Sequence, residues 1–295
     1  MELGNIGTAM VTPFSPTGAI DYEKTANLLE HLIENGTDSV IVSGTTGESP
    51  TLTVTEKKEL LDFVVKVVNK RIPVIAGTGT FNTVESIKLT RSAESSGADG
   101  IMLVTPYYNK PDQKGMYAHF STIAKETSLP VLLYNIPGRS AINLLPETVI
   151  ALSKIPTIQA VKEASGSLEQ MAEIIEGTDD DFNVYSGDDS LTLPLLSIGG
   201  KGIISVSSHV VGNEMQRMIK AFHEGRTTEA AKIHRALLPV FKALFSTPNP
   251  VPVKYALEKA GISTGGVRLP LAALDANEAK FIDLALENFK KSQIK

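Results

Sequence analysis

The 295-residue chain contains no cysteine. That removes disulfides, thiolate zinc sites and cysteine nucleophiles together. No block of basic residues stands out either. Lys57-Lys58, Lys70-Arg71 and Lys290-Lys291 are short pairs, and the net charge is −5. Neutralising phosphates needs a basic stripe, so no nucleic-acid partner is expected. The apolar runs, such as residues 101–104 and 131–133, are far too short to span a bilayer. Met1-Glu2-Leu3-Gly4-Asn5 lacks the basic-then-apolar order of a secretory leader. A cytoplasmic protein with no membrane contact is the expectation.

Other absences narrow the chemistry. The five histidines, His31, His119, His209, His223 and His234, show no His-x-His or His-x₃-His pairing, so no metal site is expected. Asp188-Asp189 reads as the cap of a helix starting near Ser190 rather than as a cation site. There is no Gly-x-Ser-x-Gly nucleophile elbow. Neither the 44–47 loop nor Gly199-Gly200-Lys201-Gly202 has a phosphate-binding Gly-Lys-Ser/Thr ending.

With 42% hydrophobic and 21% charged residues, the chain can bury a full core. Short apolar runs recur at 7–11, 39–42, 74–76, 100–104, 131–134, 158–161, 183–185 and 202–205. Helical patterns lie between them. Over 55–68 the apolar positions Leu60, Leu61, Val64, Val65 and Val68 keep the 3.6-residue spacing of a buried face. Thr53-Val54-Thr55-Glu56 offers that helix a capped, acidic start. Residues 84–93 and 116–124 read similarly. Eight strand–helix units point to a parallel α/β fold, the (β/α)₈ or TIM barrel, over residues 1–225. An open doubly wound sheet would usually carry a Gly-rich fingerprint after its first strand. Here that strand runs into Val11-Thr12-Pro13-Phe14. From residue 226 to 295 only helices are expected, over 227–245, 251–260 and 277–289, as a C-terminal helical extension.

In a barrel the residues that follow the strands share one mouth. They are Ser43-Gly44-Thr45-Thr46-Gly47-Glu48-Ser49, Gly77-Thr78-Gly79-Thr80, Thr105-Pro106-Tyr107-Tyr108-Asn109, Tyr134-Asn135-Ile136-Pro137-Gly138-Arg139, Lys162-Glu163, Ser186-Gly187-Asp188-Asp189 and Ser205-Val206-Ser207-Ser208-His209. Turn chemistry explains many of the glycines and hydroxyls. Two tyrosines, an arginine and a lysine at such ends point to a small-molecule site. Lys162 is the nucleophile candidate. An ammonium has an ordinary pKa of about 10.4, and desolvation favours the neutral amine that attacks a ketone to form a Schiff base. A lysine that merely snorkels to solvent is the plainer alternative. Tyr134, on the neighbouring strand, offers a proton shuttle, although a packed tyrosine with a bonded hydroxyl needs no such role. Arg139 has the planar fork that suits a carboxylate, or a surface ion pair. The 44–47 loop can cradle a carboxylate on backbone N–H groups and hydroxyls.

The motifs Gly44-Thr45-Thr46-Gly47-Glu48, Tyr107-Tyr108-Asn109, Tyr134-Asn135-Ile136-Pro137-Gly138-Arg139, Val161-Lys162-Glu163 and Ser186-Gly187-Asp188-Asp189 resemble the dihydrodipicolinate synthase family of the N-acetylneuraminate lyase superfamily. The resemblance covers nearly the whole chain. It implies a Schiff-base-forming carbon–oxygen lyase that condenses pyruvate with L-aspartate-4-semialdehyde on the route to diaminopimelate and lysine. Lys162 would carry the pyruvate imine. Tyr134, Thr45 and Tyr108 would relay protons, with Tyr108 reaching a neighbouring subunit. Thr46, with backbone near Gly187 and Ile204, would hold the pyruvate carboxylate, and Arg139 the aldehyde's carboxylate. No cofactor beyond the covalent imine is implied, and a homotetramer built from tight dimers is. Ser49, Glu85 and Tyr107 match a lysine-inhibition site of many relatives. Pro50, Val54, Lys57 and Phe81 depart from it, so weak or absent lysine feedback is expected. A sister aldolase acting on a sugar acid would use the same lysine and tyrosine. A barrel that binds a keto acid without turnover is the non-enzymatic alternative.

Overall fold

Eight short runs rich in Val, Ile and Leu form strands that the computed structural model, which describes residues 1–293, closes into a parallel barrel in chain order. They are β1 (Ile6–Ala9), β2 (Ser39–Val42), β3 (Val74–Gly77), β4 (Gly100–Val104), β5 (Val131–Asn135), β6 (Ile158–Glu163), β7 (Asn183–Ser186) and β8 (Gly202–Ser205). Closure comes where β1 meets β8, Ile6 opposite Ile203 and Gly7 opposite Ile204. Strands buried on both faces need apolar residues at consecutive positions, which is why they read as continuous runs. Ile41, Ile75, Met102, Leu132, Tyr185 and Ile204 fill the barrel interior. The alternate residues, such as Val40, Val42, Leu103 and Val161, pack outward against the helices. At Gly7 an added Cβ would lie 2.6 Å from Ile204 Cδ1, so small residues on some strands make room for large ones on others.

The helices around the barrel are α1 (Tyr22–Glu34), α2 (Val54–Val68), α3 (Thr83–Ser95), α4 (Gln113–Ala124), the short α5 (Pro137–Ser140) and α6 (Pro146–Ser153), α7 (Leu168–Gly177), α8 (Thr192–Ser197) and α9 (Ser208–His223). The capped start expected for α2 is present. Thr53 accepts from the Glu56 N–H, and Glu56 returns a bond to the Thr53 N–H. After α9 come α10 (Thr227–Leu244), α11 (Val251–Lys259) and α12 (Ala276–Gln293), with α10 packed along both α9 and α12. Residues 294–295, the end of the expected extension, lie outside the described residues.

Three local expectations change. β1 stops at Ala9 rather than Val11, because the Val11 N–H donates to His209 Nε2 instead of to a neighbouring strand. Lys162 lies within β6 rather than beyond its end, paired with Tyr134 on β5 and Tyr185 on β7. Of the two aspartates, only Asp188 caps, accepting from the Ser190 N–H. Asp189 is buried and accepts from the hydroxyls of Ser205 and Ser207 and from the Ser207 N–H, tying the β7 loop to β8.

Candidate active site

Lys162 and Tyr134 face each other across adjacent strands. The Lys162 ammonium nitrogen lies 4.1 Å from the centre of the Tyr134 ring, and the lysine is only 5% exposed. An ammonium over a ring face is attracted by the ring quadrupole, which gives this long side chain one place to rest. Gly187 closes the space beside it. A Cβ there would lie 2.7 Å from Ala164 Cβ and 3.1 Å from Lys162 Cε. The Gly187 N–H donates to the Glu163 carbonyl, which holds the β7 loop against β6.

Successive strand residues face opposite ways. With Lys162 turned inward, Glu163 turns outward and is fully buried. Its carboxylate accepts from Asn135 Nδ2 through both oxygens, from Gln170 Nε2 and from the Ser165 N–H. Burial pushes the Glu163 carboxyl above its ordinary range, against the pull of these donors. Asn135 in turn accepts from the Leu144 N–H. A polar clamp on the outer face therefore fixes the β5–β6 pair that carries Tyr134 and Lys162 on its inner face.

The loop after β2 turns sharply, with Ser43 and Glu48 both in the left-handed region, at φ 58° and 55°. The Thr12 hydroxyl donates to the Gly47 carbonyl and anchors the turn. Thr45 lies on the wall of a cavity of about 230 Å³, together with Gly44, Tyr107, Tyr134, Arg139 and Ser140. Thr46 is buried just beyond that wall, where its hydroxyl accepts from Asn249 Nδ2 at 2.9 Å. Arg139, on α5, is exposed at the rim and has no ion-pair partner among the described residues. Ile204 sits inside the barrel at 1% exposure. Tyr107 packs edge-on against Phe81, with ring centres 5.2 Å apart, and burial raises its phenol pKa. Tyr108 is 92% exposed with φ 73° and does not line its own chain's cavity.

The expected site residues thus fall into four groups. Thr45, Tyr134 and Arg139 share the cavity wall, and Lys162 and Gly187 are packed against each other behind Tyr134. Thr46 and Ile204 are buried without reaching the wall, and Tyr108 points away from it. Two further residues join the site that reading the sequence did not single out. Asn249 and Lys254 come from the segment after α10 and touch the 44–48 loop. The available signal was Lys254 itself, a charged residue among the buried Val251, Val253, Ala256 and Leu257 of α11. Among the described residues no group of three or more His, Asp or Glu side chains is arranged to hold a metal ion, and no helix is long and apolar enough to cross a membrane.

A closed (β/α)₈ barrel whose small cavity is lined by a tyrosine and an arginine, with a buried lysine packed behind the tyrosine, defines a barrel enzyme with a small-molecule site. The chain belongs to the dihydrodipicolinate synthetase family, whose model matches residues 2–288. A relative from Bacillus velezensis, named 4-hydroxy-tetrahydrodipicolinate synthase, is 58% identical over 278 residues, 94% of this chain and 96% of the relative. A dihydrodipicolinate synthase structure from Bacillus anthracis is 54% identical and superposes with a TM-score of 0.96 over 97% of this chain and 98% of the other. A third, from Acinetobacter baumannii and complexed with pyruvate, is 37% identical with a TM-score of 0.94 over 98% and 99%. These are enzymes of the lyase type.

Proposed function

We propose that this protein condenses pyruvate, held as an imine on Lys162, with L-aspartate-4-semialdehyde, as a 4-hydroxy-tetrahydrodipicolinate synthase. The observation that carries this reading is the buried Lys162 amine held against Tyr134 at the mouth of the barrel. In the reaction the amine adds to the keto carbon of pyruvate and water leaves to give the imine. Loss of a methyl proton gives the enamine, whose carbon attacks the aldehyde. The amino group of the second substrate then displaces Lys162, closing the ring and freeing the lysine. Every stage moves a proton, the task assigned to Tyr134, Thr45 and Tyr108. Thr46 and backbone near Gly187 and Ile204 would hold the pyruvate carboxylate. The guanidinium of Arg139, with no ion-pair partner among the described residues, suits the carboxylate of the aldehyde. The lysine forms the imine unaided, so the chemistry calls for no cofactor.

We further infer a cytoplasmic homotetramer. Tyr108 combines near-full exposure with a backbone conformation that costs a tyrosine about 1–3 kcal/mol. Phe81 and Val84, nearby in the chain after β3, are also exposed. A partner subunit that accepts Tyr108 into its own site would account for the strain.

The test is a steady-state comparison of two aldehydes with pyruvate. The aldehyde bearing a carboxylate should be favoured over a polyhydroxy aldehyde by about 10⁴-fold in kcat/KM, the scale at which a site built for a polar group rejects a substrate lacking it. Equal or greater efficiency with the polyhydroxy aldehyde would move the assignment to a sugar-acid aldolase.

A further inference from the structure

We propose that Asn249 is a positioning residue for the keto-acid carboxylate, acting by setting the direction in which the Thr46 hydroxyl donates. The inference rests on the keto-acid reading above and adds a residue from the C-terminal helices to it.

A hydroxyl carries one proton and two lone pairs. Asn249 Nδ2 donates to Thr46 Oγ1 at 2.9 Å, so one lone pair is taken. Among the described residues no protein acceptor takes the Thr46 proton. That proton is left for an anion. Turned the other way, the amide would accept from Thr46 and leave the hydroxyl only lone pairs to present, which repel a carboxylate. The contact joins residues 203 positions apart, with Asn249 7% and Thr46 3% exposed.

The unpaired valence on Asn249 argues against a purely structural role. Its Oδ1 is buried and has no hydrogen-bond partner among the described residues. An amide placed only to join the loop to the C-terminal segment would be expected to have its acceptor satisfied too, because an unpaired buried polar atom weakens the fold. The joining is done next door. Glu48, two residues after Thr46, accepts from Lys254 Nζ at 2.7 Å and from the Arg268 N–H at 2.9 Å. Lys254 also donates to the Gly266 carbonyl at 2.8 Å and lies over the Phe14 ring. Both Glu48 and Lys254 are buried, and neither lines the cavity. This pair fixes the distance between the loop and the C-terminal segment. Asn249 is then free to orient Thr46.

The experiment measures borohydride trapping on Lys162 as a function of pyruvate concentration in wild type, Asn249→Ala and Asn249→Asp. Pyruvamide, which has the ketone without the charge, serves as the comparison. Both variants should raise the half-saturating pyruvate concentration about tenfold or more, the size of one hydrogen bond to a charged group. Asp should be the worse, since it only accepts and adds negative charge. The trapping rate at saturation and the pyruvamide curve should stay near wild type. Two results overturn the proposal: either variant saturating with pyruvate as wild type does, or equal weakening toward pyruvate and pyruvamide. Ala removes the donor without burying a charge, so the test survives if Asp fails to fold. A wild type that traps no pyruvate would instead overturn the keto-acid reading.

Discussion

Lys162 and Glu163 are neighbours with opposite surroundings. Lys162 faces the barrel interior beside Tyr134, and Glu163 faces the helices inside a shell of amide donors. Burial raises the Glu163 carboxyl pKa above the unfolded value of about 4.5. A carboxyl raised in the folded state contributes stability below its unfolded pKa and loses it as pH rises through the folded one. Glu163→Gln removes that titration. The stability of wild type relative to this variant, from urea midpoints, should therefore decline as pH rises above about 4.5. A difference that grows with pH would contradict the account. Lys162, Tyr134, Thr45 and Arg139 were legible as candidate site residues because each lies within or a few residues after a strand whose local pattern is plain. Glu163's partners were not, since Asn135 and Gln170 acquire meaning only when β5, β6 and α7 are packed together.

Among the elements, those with strong local signals were the most legible. The 3.6-residue spacing of Leu60, Leu61, Val64 and Val68 and the Thr53–Glu56 capping box both mark α2, and its observed bounds differ from expectation by one residue. The ends of β1 and β6 were less legible, because they depend on partners distant in sequence, His209 for Val11 and Glu163's donors for the last residues of β6. The α2–α3 region also bears on feedback. Lys57 on α2 is half-buried, which lowers its pKa, while the charge of Glu85 on α3 acts in the opposite direction. Phe81, just before α3, packs on Tyr107. A free lysine approaching Glu85 and Tyr107 would meet the Lys57 cation. Turnover should therefore be unaffected by L-lysine on the order of 1 mM, a weak-binding regime. Half-inhibition well below that concentration would contradict this.

At the scale of the whole molecule, the barrel was legible because eight short apolar runs separated by helical patterns have few other ways to bury both faces of a parallel sheet. What the pattern did not show was how the C-terminal helices dock. Asn249, Lys254 and Arg268 reach the loop after β2 through contacts more than 200 residues long in sequence, and no periodicity encodes such pairings. The molecule as a whole then brings Lys162, Tyr134, Thr45 and Arg139 toward a single mouth, the residues to which the proposed reaction assigns the nucleophile, the proton relay and an anion-binding group. The most direct measurement is mass spectrometry of the protein after incubation with pyruvate and borohydride. The account predicts one reduced pyruvate adduct per chain, located on Lys162 and absent in Lys162→Ala, which should also lose turnover. An unmodified Lys162 in an active enzyme, or undiminished turnover by Lys162→Ala, would contradict it.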